Sequence, residues 1–295
     1  MSTDIRVPSP SNSHRLLVRT VLEHELSELR LVLERYAGAL LDWPNDKLGS
    51  AIGDYLELRE LDSVQQLLAL LRTSERECES VLETLLEGAT GFFRHPAAFE
   101  AFEKRILPEL HARKSDNPCS LRIWSVGCST GEEVYSLAMA VCERVNGGAD
   151  RWKIHIVGSD MRRQALQTAE RGLYAQQEIS RLPQPLVGNY FEKLGPHFSV
   201  KPRLRNLVTF SQMNLARPAY IGRFDCIFCM DVLPHFSSAQ RTALVDRLHL
   251  YLEPGGYLLL GDGEKLPNAN ATFSAEPEMC GVFRKPMVAA AGAGK

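Results

Sequence analysis

The sequence has no long uninterrupted apolar run. None of its hydrophobic stretches approaches the roughly 20 residues that a helix needs to cross a bilayer. Residues 1–13 are polar and contain two prolines, so they have neither the apolar stretch of a signal peptide nor a myristoylation pattern. We therefore expect a cytoplasmic protein that does not insert directly into a membrane.

A strong charge of either sign is also absent. Lys and Arg number 34 and Asp and Glu number 36, which gives a formal net charge of −2. This balance provides no overall attraction for nucleic acid phosphates or for anionic lipid. We expect no nucleic acid partner.

Cysteines are few and do not form a disulfide framework. The seven cysteines are an odd number and are scattered through apolar runs, which favours reduced, buried thiols. Cys226 and Cys229 form a C-x-x-C pair, but they lie inside an apparent strand and no second Cys/His pair stands nearby to complete a zinc site. We expect no metal site.

The 295 residues, 44% of them hydrophobic, are enough for two domains, and the first is helical. Leucines recur at intervals of three and four residues between 22 and 33, and apolar residues do so again between 64 and 71. Ser74-Glu-Arg-Glu77 has the form of a capping box that would begin a further helix. The pattern predicts an all-α N-terminal domain over residues 14–87.

This helical domain is acidic, with eight Lys and Arg against fifteen Asp and Glu. One interpretation is an ordinary solvated helix surface. The other is a docking surface, whose partner would present a neutral or basic face.

After His95-Pro96 and one helix, short apolar runs alternate with helical segments, which predicts a parallel sheet with crossover connections. The domain is expected to span 88–287, with a small antiparallel insertion at 190–210 and an antiparallel closing pair of strands. Segments 1–13 and 288–295 are expected to be disordered. The predicted strands are 121–126, 154–159, 208–211, 224–229, 257–261 and 281–285.

The clearest local signal is a strand, a glycine-containing turn and a helix over residues 121–136. Gly127 and Gly131 remove Cβ atoms where a ligand would approach the backbone at the carboxyl end of a strand. The G-x-x-x-G spacing is not the dinucleotide fingerprint, and acids at the start of a helix would repel a pyrophosphate.

Acidic residues in this position suit a cationic ligand. S-adenosylmethionine carries a sulfonium and an ammonium but no phosphate, so Glu132 or Glu133 would attract it. The alternative role for these acids is to cap the helix. Asp160 ends the second strand, where a carboxylate can accept both ribose hydroxyls.

From about residue 40 to residue 284 the sequence resembles the CheR-type chemotaxis methyltransferases. The resemblance implies a Rossmann-like class I methyltransferase sheet with an inserted antiparallel β-subdomain, an α/β fold, behind the all-α domain. It also implies S-adenosylmethionine as cofactor. The matching motifs are Thr90-Gly-Phe-Phe-Arg94, the loop 127–136, Gly158-Ser-Asp160, Gly172-Leu-Tyr174, Tyr190-Phe191, Met213-Asn-Leu215, residues 224–236 and Pro254-Gly-Gly-Tyr257.

Site residues follow from matching these motifs one by one. Thr90 and Arg94 would cover the cofactor, Arg94 would lie near the methyl-transfer point, and Arg94 and His235 are the expected catalytic residues. A structural ion pair is the alternative role for Arg94. The expected cofactor-binding residues are Thr90, Arg94, Gly127, Glu132, Asp160, Asn214, Leu215, Asp231 and Val232.

The sequence departs from the family pattern at the reaction centre. Asp231 replaces an amide, Pro234 replaces an apolar residue and His235 replaces a tyrosine, while Gly88 stands where an Asn is usual. The imidazole of His235 would serve either as a hydrogen-bonding group or as a general base for a less acidic nucleophile.

The resemblance implies that the protein, expected to be a monomer, methylates glutamate side chains of a chemoreceptor or chemoreceptor-like signalling protein. A carboxylate acceptor is already ionised at neutral pH and needs no general base. The departures leave two alternatives open. One is a methyltransferase with another protein or small-molecule acceptor, and the other is a non-catalytic cofactor-binding regulator.

Overall fold

A computed structural model describes residues 21–37, 43–86, 88–114, 119–145, 152–217, 221–267 and 273–287. The segments 1–13 and 288–295, for which disorder is predicted, lie outside these ranges. So do residues 14–20 of the predicted helical domain. Among the described residues, no helix has the length and apolar character needed to span a bilayer.

Within the described ranges, four helices form the N-terminal unit. Their apolar stripes, with Leu29, Leu33, Ile52 and Leu67 fully buried, meet in one core. The helices are α1 (Glu23–Ala37), α2 (Asn45–Leu58), α3 (Val64–Thr73) and α4 (Glu75–Leu85).

Ser74 begins α4 as the sequence predicts, but the capping box does not close. The Ser74 hydroxyl accepts the Glu77 N–H at 3.2 Å. The Glu77 carboxylate instead accepts hydrogen bonds from the Tyr55 hydroxyl and the Arg59 guanidinium, both at 2.8 Å, and so ties α4 to α2. A buried acid thus has charge-assisted partners in place of water.

A helical run connects this unit to the sheet. It consists of α5 (Pro96–Ala101), a π-helical stretch (Phe102–Ile106) and α6 (Leu107–Arg113). Pro96 stands in the first turn, where its missing N–H has no intrahelical acceptor to lose.

In the described residues the main sheet has seven strands in the order β6-β2-β1-β7-β8-β10-β9. The first five pair in parallel and β10 pairs antiparallel with both neighbours, which confirms the predicted α/β fold and the antiparallel closing strand. The strands are β1 (Cys119–Val126), β2 (Trp152–Asp160), β6 (Val208–Gln212), β7 (Phe224–Cys229), β8 (Leu252–Leu260), β9 (Ser274–Ala275) and β10 (Val282–Arg284).

Helices cover both faces of the sheet. Alternate residues of each strand point to opposite faces, so each strand contributes to both sides. Ile123 and Phe228 pack with α5, α6 and α7 (Glu132–Val145) on one face. Trp124 and Ile227 pack with α12 (Ser238–Tyr251) on the other. The two faces form separate cores, as expected of a doubly wound sheet.

The inserted antiparallel sheet differs from the predicted 190–210. Its strands are β3 (Leu173–Ala175), β4 (Phe191–Leu194) and β5 (His197–Val200), in the order β3-β5-β4. Gly172, at φ +60°, turns the chain from α8 (Arg163–Arg171) directly into β3, so this sheet begins before residue 190. Residues 208–210 belong instead to β6 of the main sheet.

Three short helices complete this region. They are α9 (Gln176–Ile179), α10 (Gln184–Tyr190) and α11 (Pro202–Arg205). The first two lie between β3 and β4, and α11 leads from β5 towards β6.

Gly158 in β2 provides a test of this packing. A Cβ there would lie 2.7 Å from Val134 Cγ2 and 2.8 Å from Phe210 Cδ1, both of which belong to packed elements. We expect Gly158→Ala to lower the free energy of unfolding by about 1–3 kcal/mol, as overpacked cores do. The measurement is a urea unfolding midpoint.

Gly188→Ala is the matched control. Gly188 lies in α10, and a Cβ added there would have nothing within 4 Å, so the extra methyl should be neutral or stabilising by up to about 1 kcal/mol. Equal midpoints for the two variants would contradict the packing described for β2.

Candidate functional site

The turn after β1 forms the floor of the site. Gly127 has φ +68° and Gly131 φ +95°, conformations that L side chains rarely adopt. A Cβ on Gly127 would lie 2.7 Å from Val232 Cγ2, and one on Gly131 would lie 2.7 Å from Ala169 Cβ. Both glycines are therefore required by close approach as well as by backbone conformation.

A cavity of about 300 Å³ lies above this turn, at the carboxyl ends of β1, β2, β6 and β7. The segment 88–95 forms another wall, and the helical unit contributes Ala37, Leu82 and Leu86. This is the edge where open α/β sheets bind their ligands.

Most of the residues predicted from the sequence meet at this cavity. The ones that line it are Thr90, Arg94, Gly127, Asp160, Asn214, Leu215, Asp231, Val232 and His235. Glu132 is a predicted cofactor-binding residue that does not line the cavity. The individual roles of the predicted residues remain predictions.

The two adjacent acids at the start of α7 face different surroundings. Glu132 is buried, and its Oε2 accepts hydrogen bonds from Thr130 at 2.7 Å and Thr90 at 3.2 Å. Glu133 lines the cavity, and its Oε1 accepts the Ser125 hydroxyl at 2.7 Å. Neighbours on a helix point about 100° apart, and here Glu133 rather than Glu132 lines the ligand space.

Burial raises the pKa of both acids, and the effect on Glu133 is the larger. Glu133 is partly accessible and lines the cavity, and burial of its carboxyl group raises its pKa to about 7. At neutral pH the group is therefore shared between its neutral and ionised forms, and a bound cation would favour ionisation. The two adjacent acids in the sequence indicated a site for a cationic ligand, but they did not show which of the two faces that ligand.

Asp160 is held in place at the end of β2. Its Oδ2 accepts the Ser129 N–H at 2.8 Å, and its Oδ1 accepts the Arg162 N–H at 2.8 Å and the Arg162 Nε–H at 3.3 Å. Arg162 also donates to the Ser129 hydroxyl at 2.7 Å and lines the cavity. Sequence reasoning missed Arg162, whose burial depends on this pairing with Asp160.

Asp231 joins several elements at the end of β7. Its Oδ2 forms an ion pair with Arg94 Nη2 and a hydrogen bond with His95 Nε2, both at 3.0 Å. Its own N–H donates to Glu264 Oε2 at 3.0 Å. The structural ion pair considered for Arg94 is thus present, at the cavity wall.

His235 lies in a short 3₁₀ turn after β7 and lines the cavity. Burial, together with the positive charges of Lys47 and Arg162, lowers its pKa below the usual 6.5, so the ring is neutral at pH 7. Its buried Nδ1 has no hydrogen-bond partner among the described residues.

The cysteine pair in β7 does not form a metal site. Cys226 packs into the core on one face of the sheet and Cys229 into the core on the other, so their thiols cannot share one ion. Burial raises the pKa of both thiols well above the usual range. Within the described ranges, no group of three or more His, Cys, Asp or Glu is placed to hold a metal ion.

The sequence matches known proteins over most of its length. Residues 88–281 match the model of the family described as "CheR methyltransferase, SAM binding domain". The chain is 35% identical over 246 residues to chemotaxis protein methyltransferase 1 of Pseudomonas aeruginosa, covering 81% of this chain and 89% of that protein.

Two further relatives show similar coverage. Chemotaxis protein methyltransferase Cher2 of Pseudomonas putida is 33% identical over 251 residues, which covers 82% of this chain and 90% of that protein. The chemotaxis protein methyltransferase of Escherichia coli is 30% identical over 253 residues, covering 83% and 85%. Residues 88–281, which include the main sheet, are the S-adenosylmethionine-binding domain of this family. The chain therefore belongs to the CheR family of methyltransferases.

Proposed function

We propose that this protein transfers a methyl group from S-adenosylmethionine to glutamate side chains of a chemoreceptor-like signalling protein. The observation that carries the proposal is the position of Arg94. Its guanidinium lies on the wall of the cofactor cavity with 44% of the side chain exposed, so an incoming carboxylate can reach it. Relatives named chemotaxis protein methyltransferases support the assignment of the acceptor class.

The residues around the cavity fit the cofactor. The methionine ammonium and the sulfonium of S-adenosylmethionine are cationic, and the acidic residues Glu133, Asp160 and Asp231 line the same space. Gly127 leaves open, beside Val232, the space that a Cβ would fill. When bound, the cofactor supplies an activated methyl group and a sulfonium that leaves as a neutral thioether.

We assign the cofactor contacts by position. Asp160 keeps lone pairs on both carboxylate oxygens and would accept the ribose hydroxyls. Glu133 would hold the ammonium, with Glu132 supporting the lid through Thr90. Asn214 and Leu215 would border the adenosine, and the Asn214 side chain is fixed by accepting the Ala216 N–H at 2.9 Å.

Catalysis in this proposal is mainly positioning. A glutamate acceptor is ionised at neutral pH, so no group of the protein has to remove a proton from it. The Nη1 of Arg94 donates to Ala89 and its Nη2 pairs with Asp231. Its remaining N–H donors would hold the acceptor as a fork and orient one oxygen towards the methyl group. The neutral ring of His235 would then act as a hydrogen-bonding group beside the acceptor.

The helical unit would help to select the acceptor. The Lys47 ammonium lies 4.6 Å from the centre of the Trp43 ring and near enough to His235 to lower its pKa. The first turn of α2 is therefore close to the reaction centre. An acceptor that reaches Arg94 would also contact this turn.

A second candidate is methylation of a neutral nucleophile. The observation that favours it is His235, a cavity-lining residue whose neutral imidazole is able to accept a proton. The two candidates differ in the stability of the product.

Glu133 gives the first test. We expect Glu133→Gln to weaken S-adenosylmethionine binding about tenfold, because a charge-assisted contact is worth about 1.5–3 kcal/mol. In the wild type, the ammonium should lower the Glu133 pKa from about 7, so affinity should rise from about pH 5.5 to pH 7 and then level off. Calorimetric titrations across this range measure both effects.

Glu132→Gln is the matched control, since an amide oxygen can still accept from Thr130 and Thr90. This variant should retain the rise in affinity with pH, and Glu133→Gln should lose it. The assignment is wrong if the glutamine at 133 keeps the pH dependence or if the glutamine at 132 is the weaker binder.

The acceptor is tested by alkali treatment of labelled product. A chemoreceptor cytoplasmic fragment incubated with methyl-labelled S-adenosylmethionine should carry methyl esters, which alkali hydrolyses to volatile methanol. Arg94→Lys keeps the positive charge but loses the bidentate fork, and we expect it to slow transfer about tenfold. A label that survives alkali would exclude glutamate and favour the neutral nucleophile.

A further inference from the structure

The guanidinium of Arg94 is already compensated by a negative charge in this structure. The Asp231 Oδ2 forms an ion pair with Arg94 Nη2 and lies the same distance, 3.0 Å, from His95 Nε2. Arg94 donates in addition to the carbonyl oxygen of Ala89. Asp231 and Arg94 both line the cofactor cavity, so their net charge bears directly on whatever occupies it.

The backbone holds Asp231 in this place. Its φ of +58° lies in the left-handed region, which Asp tolerates better than most residues. Glu264 Oε2 fixes the turn by accepting the N–H groups of Asp231 at 3.0 Å and Gly261 at 2.6 Å. A Cβ on Gly261 would lie 2.7 Å from Asp231 Oδ1, so the glycine makes room for the carboxylate.

Other charged groups at the cavity are compensated separately. Asp160 and Arg162 form their own ion pair at 3.3 Å. Glu133, with a pKa raised to about 7 by burial, carries only part of a negative charge at neutral pH. The balance of charge on the wall formed by residues 94 and 95 thus depends on Asp231.

We propose that Asp231 is a specificity-determining residue that shifts the relative affinity of the site towards S-adenosylmethionine and away from its demethylated product, S-adenosylhomocysteine. The two ligands share every group except the methyl and the positive charge on sulfur. Without Asp231, the unpaired guanidinium of Arg94 would repel the sulfonium and leave the neutral thioether unaffected. By neutralising Arg94, Asp231 removes a bias towards the product.

This role goes beyond the proposed acceptor and does not depend on it, because it concerns the two cofactor forms alone. A lower relative affinity for the product means weaker product inhibition than an uncharged side chain at position 231 would give.

The test is the ratio of the dissociation constants of the two ligands, measured by calorimetry on the full chain. Asp231→Asn keeps the shape of the side chain and removes its charge. We expect the preference for S-adenosylmethionine to fall about threefold to fivefold, the size expected for a partly exposed pair. Losses of contacts common to both ligands cancel in the ratio.

Asp262→Asn is the matched control. Its side chain is 79% exposed, lies 3.7 Å from His95 Nδ1 on the side away from Asp231, and does not line the cavity. Removal of this charge should leave the ratio unchanged. A fall equal to that of Asp231→Asn would overturn the proposal, because it would show an effect of overall charge.

Arg94→Gln provides an independent test in the opposite direction. It removes the cation and leaves Asp231 facing the ligand, so the preference for S-adenosylmethionine should rise even if Asp231→Asn does not fold. The double variant should return the ratio towards that of the wild type. An unchanged ratio in folded Asp231→Asn, or a fall in Arg94→Gln, would overturn the proposal.

Discussion

Parallel pairing of β1 with β2 and β7 is the constraint on which the rest of this structure depends. Strands that run in the same direction end at the same edge, so the segments that follow them are brought together over the turn at Gly127. The crossover helices that parallel pairing requires cover the two faces and leave only this edge open to a ligand. The helical unit and the segment 88–95 then close the cavity from above.

Electrostatics of this edge are set by how deeply each acid lies and by what pairs with it. Asp160 is held by Ser129 and Arg162, and Asp231 by Arg94 and His95, so both stay close to charge balance. Glu133 accepts a hydrogen bond from the uncharged Ser125 hydroxyl, and burial raises its pKa towards neutrality. A cationic cofactor therefore meets a site whose charge can adjust to it.

Much of this architecture was predictable from the sequence. Buried strands form apolar runs bounded by glycine and polar turns, and the confirmed parallel sheet follows from their alternation with helices. The inserted sheet was placed too late in the chain because β3 pairs with β5 across more than twenty residues, and such a pairing leaves no local pattern. Glu132 and Glu133 were not distinguished because their directions depend on the turn at Gly131. His95 was missed because its partner, Asp231, is distant in sequence.

The most direct test of where the cofactor binds is amide hydrogen exchange of the full chain with and without S-adenosylmethionine. We expect slower exchange on binding in four strand-end segments, 127–133, 159–162, 213–215 and 230–236, and in the covering segment 88–95. The inserted sheet at 173–200 should be unaffected. Protection confined to the covering segment, or centred on the inserted sheet, would contradict the placement of the cofactor at the carboxyl edge of the parallel strands.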